Sequence, residues 1–273
     1  MTPDQLAELI KGKSPKVHLK CERLGIDEER FIVEGDIGLT EQGVATYAVE
    51  RVELAKSIND NSHDEKQGLL GKTKNGKMMR WPRGATLTYC VWKPTFDTDE
   101  EYQKAVQGMR DATQGWENIC GVSFKHEPQF DTKDDLEFGD VEFPVLRSPG
   151  GGNTIAMAFF PDDKLKDRIV WVFDGYYSDS SGFDPVGVMR HELGHVLGFR
   201  HEHIRPEAPD VFSAESLDET IDLTKYDPGS VMHYVIGDIG NPELTFTELD
   251  KAGARLVYGG PDKEYTFAEL GTD

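Results

Sequence analysis

His191-Glu192-Leu193-Gly194-His195-Val196-Leu197-Gly198-Phe199-Arg200-His201 decides how this chain is read. The stretch has the form H-E-x-x-H-x-x-G-x-x-H. On an α-helix four residues advance about 400° and about 6 Å. The imidazoles of His191 and His195 therefore sit one turn apart on one face, where both can hold a single ion. Glu192 neighbours them on the turn and is not a ligand; it is placed to act as base on a metal-bound water. His201 tests this reading. On a continued helix it would lie about 15 Å along the axis from His191, whereas a zinc–nitrogen bond is about 2.0–2.1 Å. The helix must stop and the chain must turn back. Gly198 stands where that stop is needed, because glycine accepts the left-handed conformation that ends helices. Three histidines leave zinc an open coordination position, the mark of a catalytic rather than a structural site.

The extended motif resembles that of the metzincin zinc peptidases, and within them the astacin family. Phe199 after the glycine and Glu202 after the third histidine are the astacin continuation. Downstream, Tyr226-Asp227-Pro228-Gly229-Ser230-Val231-Met232-His233-Tyr234 is similar to the family's methionine turn. The resemblance implies an α+β, zincin-like catalytic domain with a twisted mixed β-sheet, an active-site helix and a small C-terminal subdomain. It implies that His191, His195 and His201 hold one catalytic zinc and that Glu192 polarises the attacking water. Met232 would form an apolar floor under the imidazoles, and Tyr234 would be a switch tyrosine that stabilises the transition state. Glu202 matches the residue that is linked to the new N-terminus in mature astacins. The chain departs from the family after Arg205, where Pro206-Glu207-Ala208-Pro209 replaces an Arg-x-Asp-Arg-Asp pattern. The segments 153–161 and 249–259 have a matrixin-like character. Within the first of them, Ile155, Ala156, Met157 and Ala158 read as an edge strand that pairs with an extended substrate.

Length and charge narrow the partners. The chain has 273 residues and a formal net charge of −20, which argues against nucleic acid and anionic membranes as partners. No stretch reaches the roughly 18 apolar residues of a membrane span. Protein or peptide substrates and a monomer are the expectation. The first residues, Met1-Thr2-Pro3-Asp4-Gln5-Leu6, have neither the basic nor the apolar part of an export signal. Secretion is implied by the resemblance alone, so localisation stays open. Of three cysteines, Cys90 and Cys120 either pair or stand as buried thiols, and Cys21 is left over.

Residues 1–76 differ from the rest. A short helical pattern (Leu6, Leu9, Ile10) precedes an extended run at Phe31–Val33 and a helical start at Glu41–Val44. From Ser57 to Lys77 the chain is polar, as an exposed linker is. The composition divides the chain into a propeptide-like segment, 1–76, and a catalytic domain, 77–273. In the second part strands are expected at 85–91, 122–124, 136–138, 155–160 and 169–173. A helix starts after Thr98 with Ala105, Met109, Ala112, Trp116 and Ile119 on one face. The active helix spans about 184–197 and a last helix about 247–257, with no βαβ repeat. Acidic loops at 131–135 and 162–167 make calcium a weaker alternative, since they lack EF-hand spacing. His203 and His233 read as residues behind the ligands or at the surface, and His18, His63 and His126 as surface residues.

The function expected is that of a zinc endopeptidase made as a zymogen. The rival is an inactive metzincin-fold protein that binds peptides without cutting them; the intact set with Glu192 and Tyr234 argues against it. Two residues are candidates for blocking the metal. Cys21 would offer a thiolate. Asp36, in Val33-Glu34-Gly35-Asp36, resembles the Phe-x-Gly-Asp motif of astacin propeptides, with Val33 in place of Phe. The preference of zinc for thiolate puts Cys21 ahead of Asp36.

Overall fold

Leu87, Tyr89 and Val91 alternate with Cys90 and Trp92, a pattern that gives a strand with two apolar faces. The fold is built around that strand. The computed structural model describes residues 2–33, 35–58, 69–74, 76–205, 207–208, 220–235 and 238–261. In chain order the N-terminal elements are α1 (Pro3–Lys13), β1 (Lys16–Cys21), β2 (Ile26–Val33), β3 (Ile37–Leu39) and α2 (Glu41–Ile58). Then follow β4 (Leu70–Lys74), β5 (Lys77–Met78), β6 (Thr86–Val91), α3 (Asp99–Glu117), β7 (Ser123–His126), β8 (Phe143–Arg147), β9 (Ala156–Met157) and β10 (Val170–Val172). The chain closes with α4 (Asp174–Tyr177), α5 (Pro185–Val196), β11 (Thr220–Asp222) and α6 (Glu248–Tyr258).

The main sheet has the order β7-β6-β8-β10-β9. Its first four strands are parallel, and β9 runs antiparallel to β10 at the edge. The connection β6-α3-β7 is a parallel crossover unit, which the sequence reading did not expect. One face of the sheet carries Leu87, Tyr89, Val91, Phe143, Val145, Val170 and Val172, packed with α3 and α5 through Met109, Trp116, Met189 and Leu193. The opposite face carries Cys90, Trp92, Leu146, Trp171 and Phe173, and it is covered by Val17, Leu19, Cys21 and Ile32 of the β1-β2-β3 sheet. Helices α1 and α2 close the far side of that small sheet with a core of Ala7, Phe31, Val44 and Ala48. Phe31 and Ile32 are neighbours on β2 and point to these two different cores, as strand alternation requires.

Several expectations need correction. Residues 136–138 form no strand; the strand in that region is β8, at 143–147. Pro144 hid it, because proline lacks the N–H of a ladder and argues against a central strand. Strand β1 was also missed, although Val17, Leu19 and Cys21 face in while Lys16, His18 and Lys20 face out. Of the polar stretch 57–77, residues 59–68 lie outside the described residues, but β4 is ordered structure. It pairs with β11 and bridges to Phe199, and its hairpin with β5 spans the expected boundary at 76. All three cysteines are buried free thiols, so Cys90 and Cys120 do not pair. His126 is not a plain surface residue: it stacks on Tyr89 and sits 2.9 Å from the buried Asp131.

Leu146 is fully buried on the face that meets the N-terminal sheet. Leu146→Ala is expected to cost about 2–5 kcal/mol, read from the midpoint of urea unfolding. A loss below about 1 kcal/mol would mean that this face is not tightly packed.

Candidate metal centre

Helix α5 begins where the sequence supplies a cap. The Asp184 carboxylate accepts from the N–H groups of Val186 (3.4 Å) and Gly187 (3.0 Å), and Pro185 takes the first helical position. The helix ends at a Schellman turn. Phe199 N donates to Gly194 O (2.9 Å) and Gly198 N to His195 O (2.8 Å). Gly198 has φ +91, and a Cβ there would come within 2.2 Å of Met79 O. The chain then reverses and brings His201 beside the first two histidines.

Their Nε2 atoms converge. His201 lies 3.1 Å from His195 and 3.2 Å from His191, all three being buried. His191 Nδ1 meets Val231 O at 2.7 Å and His195 Nδ1 meets Phe199 O at 2.8 Å. A carbonyl oxygen only accepts, so both Nδ1 atoms carry a proton, and in the neutral rings that bind a metal both Nε2 atoms present a lone pair inward. Lone pairs turned on one another in a buried space repel unless a cation lies between them. A tetrahedral zinc with bonds of about 2.0–2.1 Å holds its nitrogens about 3.3 Å apart. The donor set and its spacing therefore fit zinc.

A fourth donor completes the group. The Asp36 carboxylate lies 3.1 Å from His201 Nε2 and 3.2 Å from His191 Nε2, and it is buried with them. Asp36 stands at the reversal between β2 and β3, where Val33 pairs with Ile37 and Gly35 has φ +89. A Cβ at Gly35 would strike the Tyr234 ring at 2.3 Å, and one at Gly38 would strike Met157 Sδ at 2.2 Å. Thr154 Oγ1 donates to Gly35 O (3.3 Å). Residues 35–38 thus lie between Tyr234 and the edge strand, with Ile155–Ala158 beside them. Cys21 is elsewhere: it sits on β1 within the core shared by the two sheets. Burial pushes its thiol up from the usual range, which opposes the thiolate that a metal needs.

Glu192 is buried behind the cluster, and its Oε2 has no hydrogen-bond partner among the described residues. Burial, reinforced by the charge of Asp36, raises its pKa well above the ordinary value. An apolar cavity of about 270 Å³ opens beside it, lined in part by Ile155, Val188, Tyr234, Val235 and Leu244.

The floor of the site depends on residues the sequence reading used little. Met232 is fully buried, and a Cβ on Gly194 would meet its Sδ at 2.2 Å, so the glycine in the helix admits the methionine. Asp250, at the start of α6, accepts from Ser230 Oγ (2.6 Å), Val231 N (2.9 Å) and Thr247 N (2.9 Å). It fixes the same Val231 whose carbonyl orients His191. The capping pattern Thr247-x-x-Asp250 was the available signal, but it shows a helix start and not a link to residue 231. Glu202 is fully buried, accepts from Asp227 N (3.0 Å) and lies 3.0 Å from Arg205 Nε; burial pushes it up to about 8 even so. His203 is buried as well and stacks on Tyr234 at 4.5 Å. In the acidic loops, Asp131 accepts from Val91 N and Tyr102, and Asp162 from Lys72 and Lys74.

Residues 80–213 match the family model described as "Matrixin" of the peptidase M10 group. The chain is 24% identical over 266 residues to zinc metalloproteinase nas-36 of Haemonchus contortus, covering 90% of this chain and 36% of that protein. It is 28% identical over 149 residues to human stromelysin-3, covering 50% and 29%. Over 194 residues it is 30% identical to metalloendoproteinase 1-MMP of Arabidopsis thaliana, covering 68% and 51%. The chain thus spans at most about half the length of these three relatives. A solved structure of myroilysin aligns with TM-score 0.47 and 20% identity over 66% of this chain and 95% of that one.

The tie from Asp250 to Val231 to His191 can be tested. Asp250→Ala is expected to weaken zinc binding about 10–100-fold, the usual effect of losing an outer support of a ligand, measured by competition with a chromogenic chelator. An unchanged zinc affinity would show that the turn holds itself.

Proposed function

We propose that the chain is a zinc-dependent endopeptidase held latent by its own Asp36, residues 80–213 being similar to the family model described as "Matrixin". The convergence of three buried imidazole Nε2 atoms beside Glu192 carries this reading. His191, His195 and His201 would hold the zinc, which when bound supplies a Lewis acid that acidifies water and polarises a carbonyl. Glu192 takes the proton of the attacking water and returns it to the leaving amine. General acid–base help of this kind is typically worth about 10²–10⁴-fold. Strand β9 lies at the edge of the main sheet, where an extended substrate backbone can add as a further strand. The apolar cavity next to Glu192 suits an apolar substrate side chain. Tyr234 is the candidate to donate to the oxyanion once residues 35–38 have left its ring.

Asp36 opposes each of these steps. It would occupy the fourth corner of the donor set, and burial together with its charge raises the pKa of Glu192. Its neighbours fill the substrate's place between Tyr234 and Met157. Geometry therefore favours Asp36 over Cys21 as the blocking residue. A role as a peptide-binding protein without catalysis is the rival, and nothing about the buried, intact Glu192 favours it.

Glu192→Gln, in a form freed of the block, is expected to keep its zinc and to lose at least about 10²-fold in kcat. Full activity in that variant would remove Glu192 from the mechanism. Asp36→Ala in the full chain is expected to raise peptidase activity on a casein substrate at least tenfold, and a chelator should abolish that gain. The same change at Cys21 should leave latency as it is. Latency unaltered by Asp36→Ala would refute the proposed block.

A further inference from the structure

The back of the main sheet is an apolar surface, covered by the N-terminal unit together with Phe130, Leu136 and Val141 of the 127–142 loop. Cys90, Trp92, Leu146, Trp171 and Phe173 point away from the catalytic helices, and each is at most 4% exposed. Val17, Leu19, Cys21 and Ile32 complete the same cluster from β1 and β2. Polar contacts line its margin. Ser148 Oγ donates to His18 O (3.3 Å) and accepts from Lys20 N (3.4 Å). Arg23 Nη1 donates to Asp134 O (3.2 Å), and Arg30 lies 3.2 Å from Asp167. The unit also has a core of its own, in which Ala7, Val44 and Ala48 close over Phe31. It therefore has what a separate folded partner needs, namely a shape fixed from within and one apolar face matched to a large apolar surface.

We propose that the back face of the five-stranded sheet is a binding surface for residues 2–58 as a non-covalent inhibitor subunit, so that cutting the chain between the two halves neither releases that unit nor activates the enzyme. The latency half of this inference rests on the reading of Asp36 given above. Asp36 is carried at the reversal of the β2–β3 hairpin, and β2 is seated on the sheet through Ile32. Its presence at the histidines is then set by the packed interface and not by the residues that join the two halves. Activation would require a cut within the hairpin or removal of the whole unit.

The test uses the full chain with residues 61–66 replaced by a site-specific protease sequence, after its melting temperature is shown to match the parent. The chain is cut to completion, then passed over a size-exclusion column and assayed. The two fragments are expected to elute together at the mass of the uncut chain, with activity raised less than twofold. Leu19→Asp in the same chain is expected to let the fragments separate after cutting, with activity rising at least tenfold. Separation of the parent fragments would overturn the proposal, as would co-elution with full activity. It would also fail if the cut Leu19→Asp chain stayed together and latent. Uncut Asp36→Ala serves as the separate arm. If it stays as inactive as the parent, the reading of Asp36 falls, while co-elution still decides whether the surface holds the unit.

Discussion

Three imidazole Nε2 atoms are turned on one another in a buried space, an arrangement that a cation held between them would stabilise. Each part of the surrounding structure is explicable as a means of holding it. The Schellman turn at Gly198 brings the third ring back over the first two. Carbonyls of Val231 and Phe199 fix the protons of His191 and His195 on the outer nitrogens. Met232 packs against the active helix because residue 194 is glycine. Strand β4 braces the returning segment, since Arg200 N donates to Leu70 O and Lys72 N to Gly198 O.

The same constraint would explain why a carboxylate serves as the proposed block. The site has three neutral donors and one free corner, so an anion placed there adds charge pairing without disturbing the imidazoles. Asp36 reaches it from a hairpin that is part of a sheet, and a glycine on its N-terminal side permits contact with Tyr234 that any side chain would prevent. In the proposed zymogen, latency and fold are therefore coupled. The strand that delivers Asp36 is the one whose Ile32 shields the back of the catalytic sheet.

How much of this was legible in the sequence follows from the range of each signal. The zinc motif, its helix cap and its terminating glycine are local and were readable, as was the apolar face of α3. Strand β8 was not, because Pro144 breaks the usual sign of a central strand while Val145 and Leu146 take up opposite faces of the sheet. The choice between Cys21 and Asp36 depended on tertiary placement. Cys21 sits in a segment with charged neighbours at 20, 22 and 23, and period-two alternation turns it inward, away from solvent and from the metal. Metal chemistry alone favoured the thiol; sheet geometry favours the carboxylate. Asp250 reads in sequence as a helix cap only, since its second role depends on a contact twenty residues away.

The most direct test is X-ray absorption at the zinc edge on the uncut, zinc-loaded chain. The account expects a first shell of nitrogen and oxygen only, at about 2.0–2.1 Å, with the multiple scattering of three imidazoles and one carboxylate oxygen. A sulfur at about 2.3 Å would put a cysteine on the metal and contradict the assignment of Asp36.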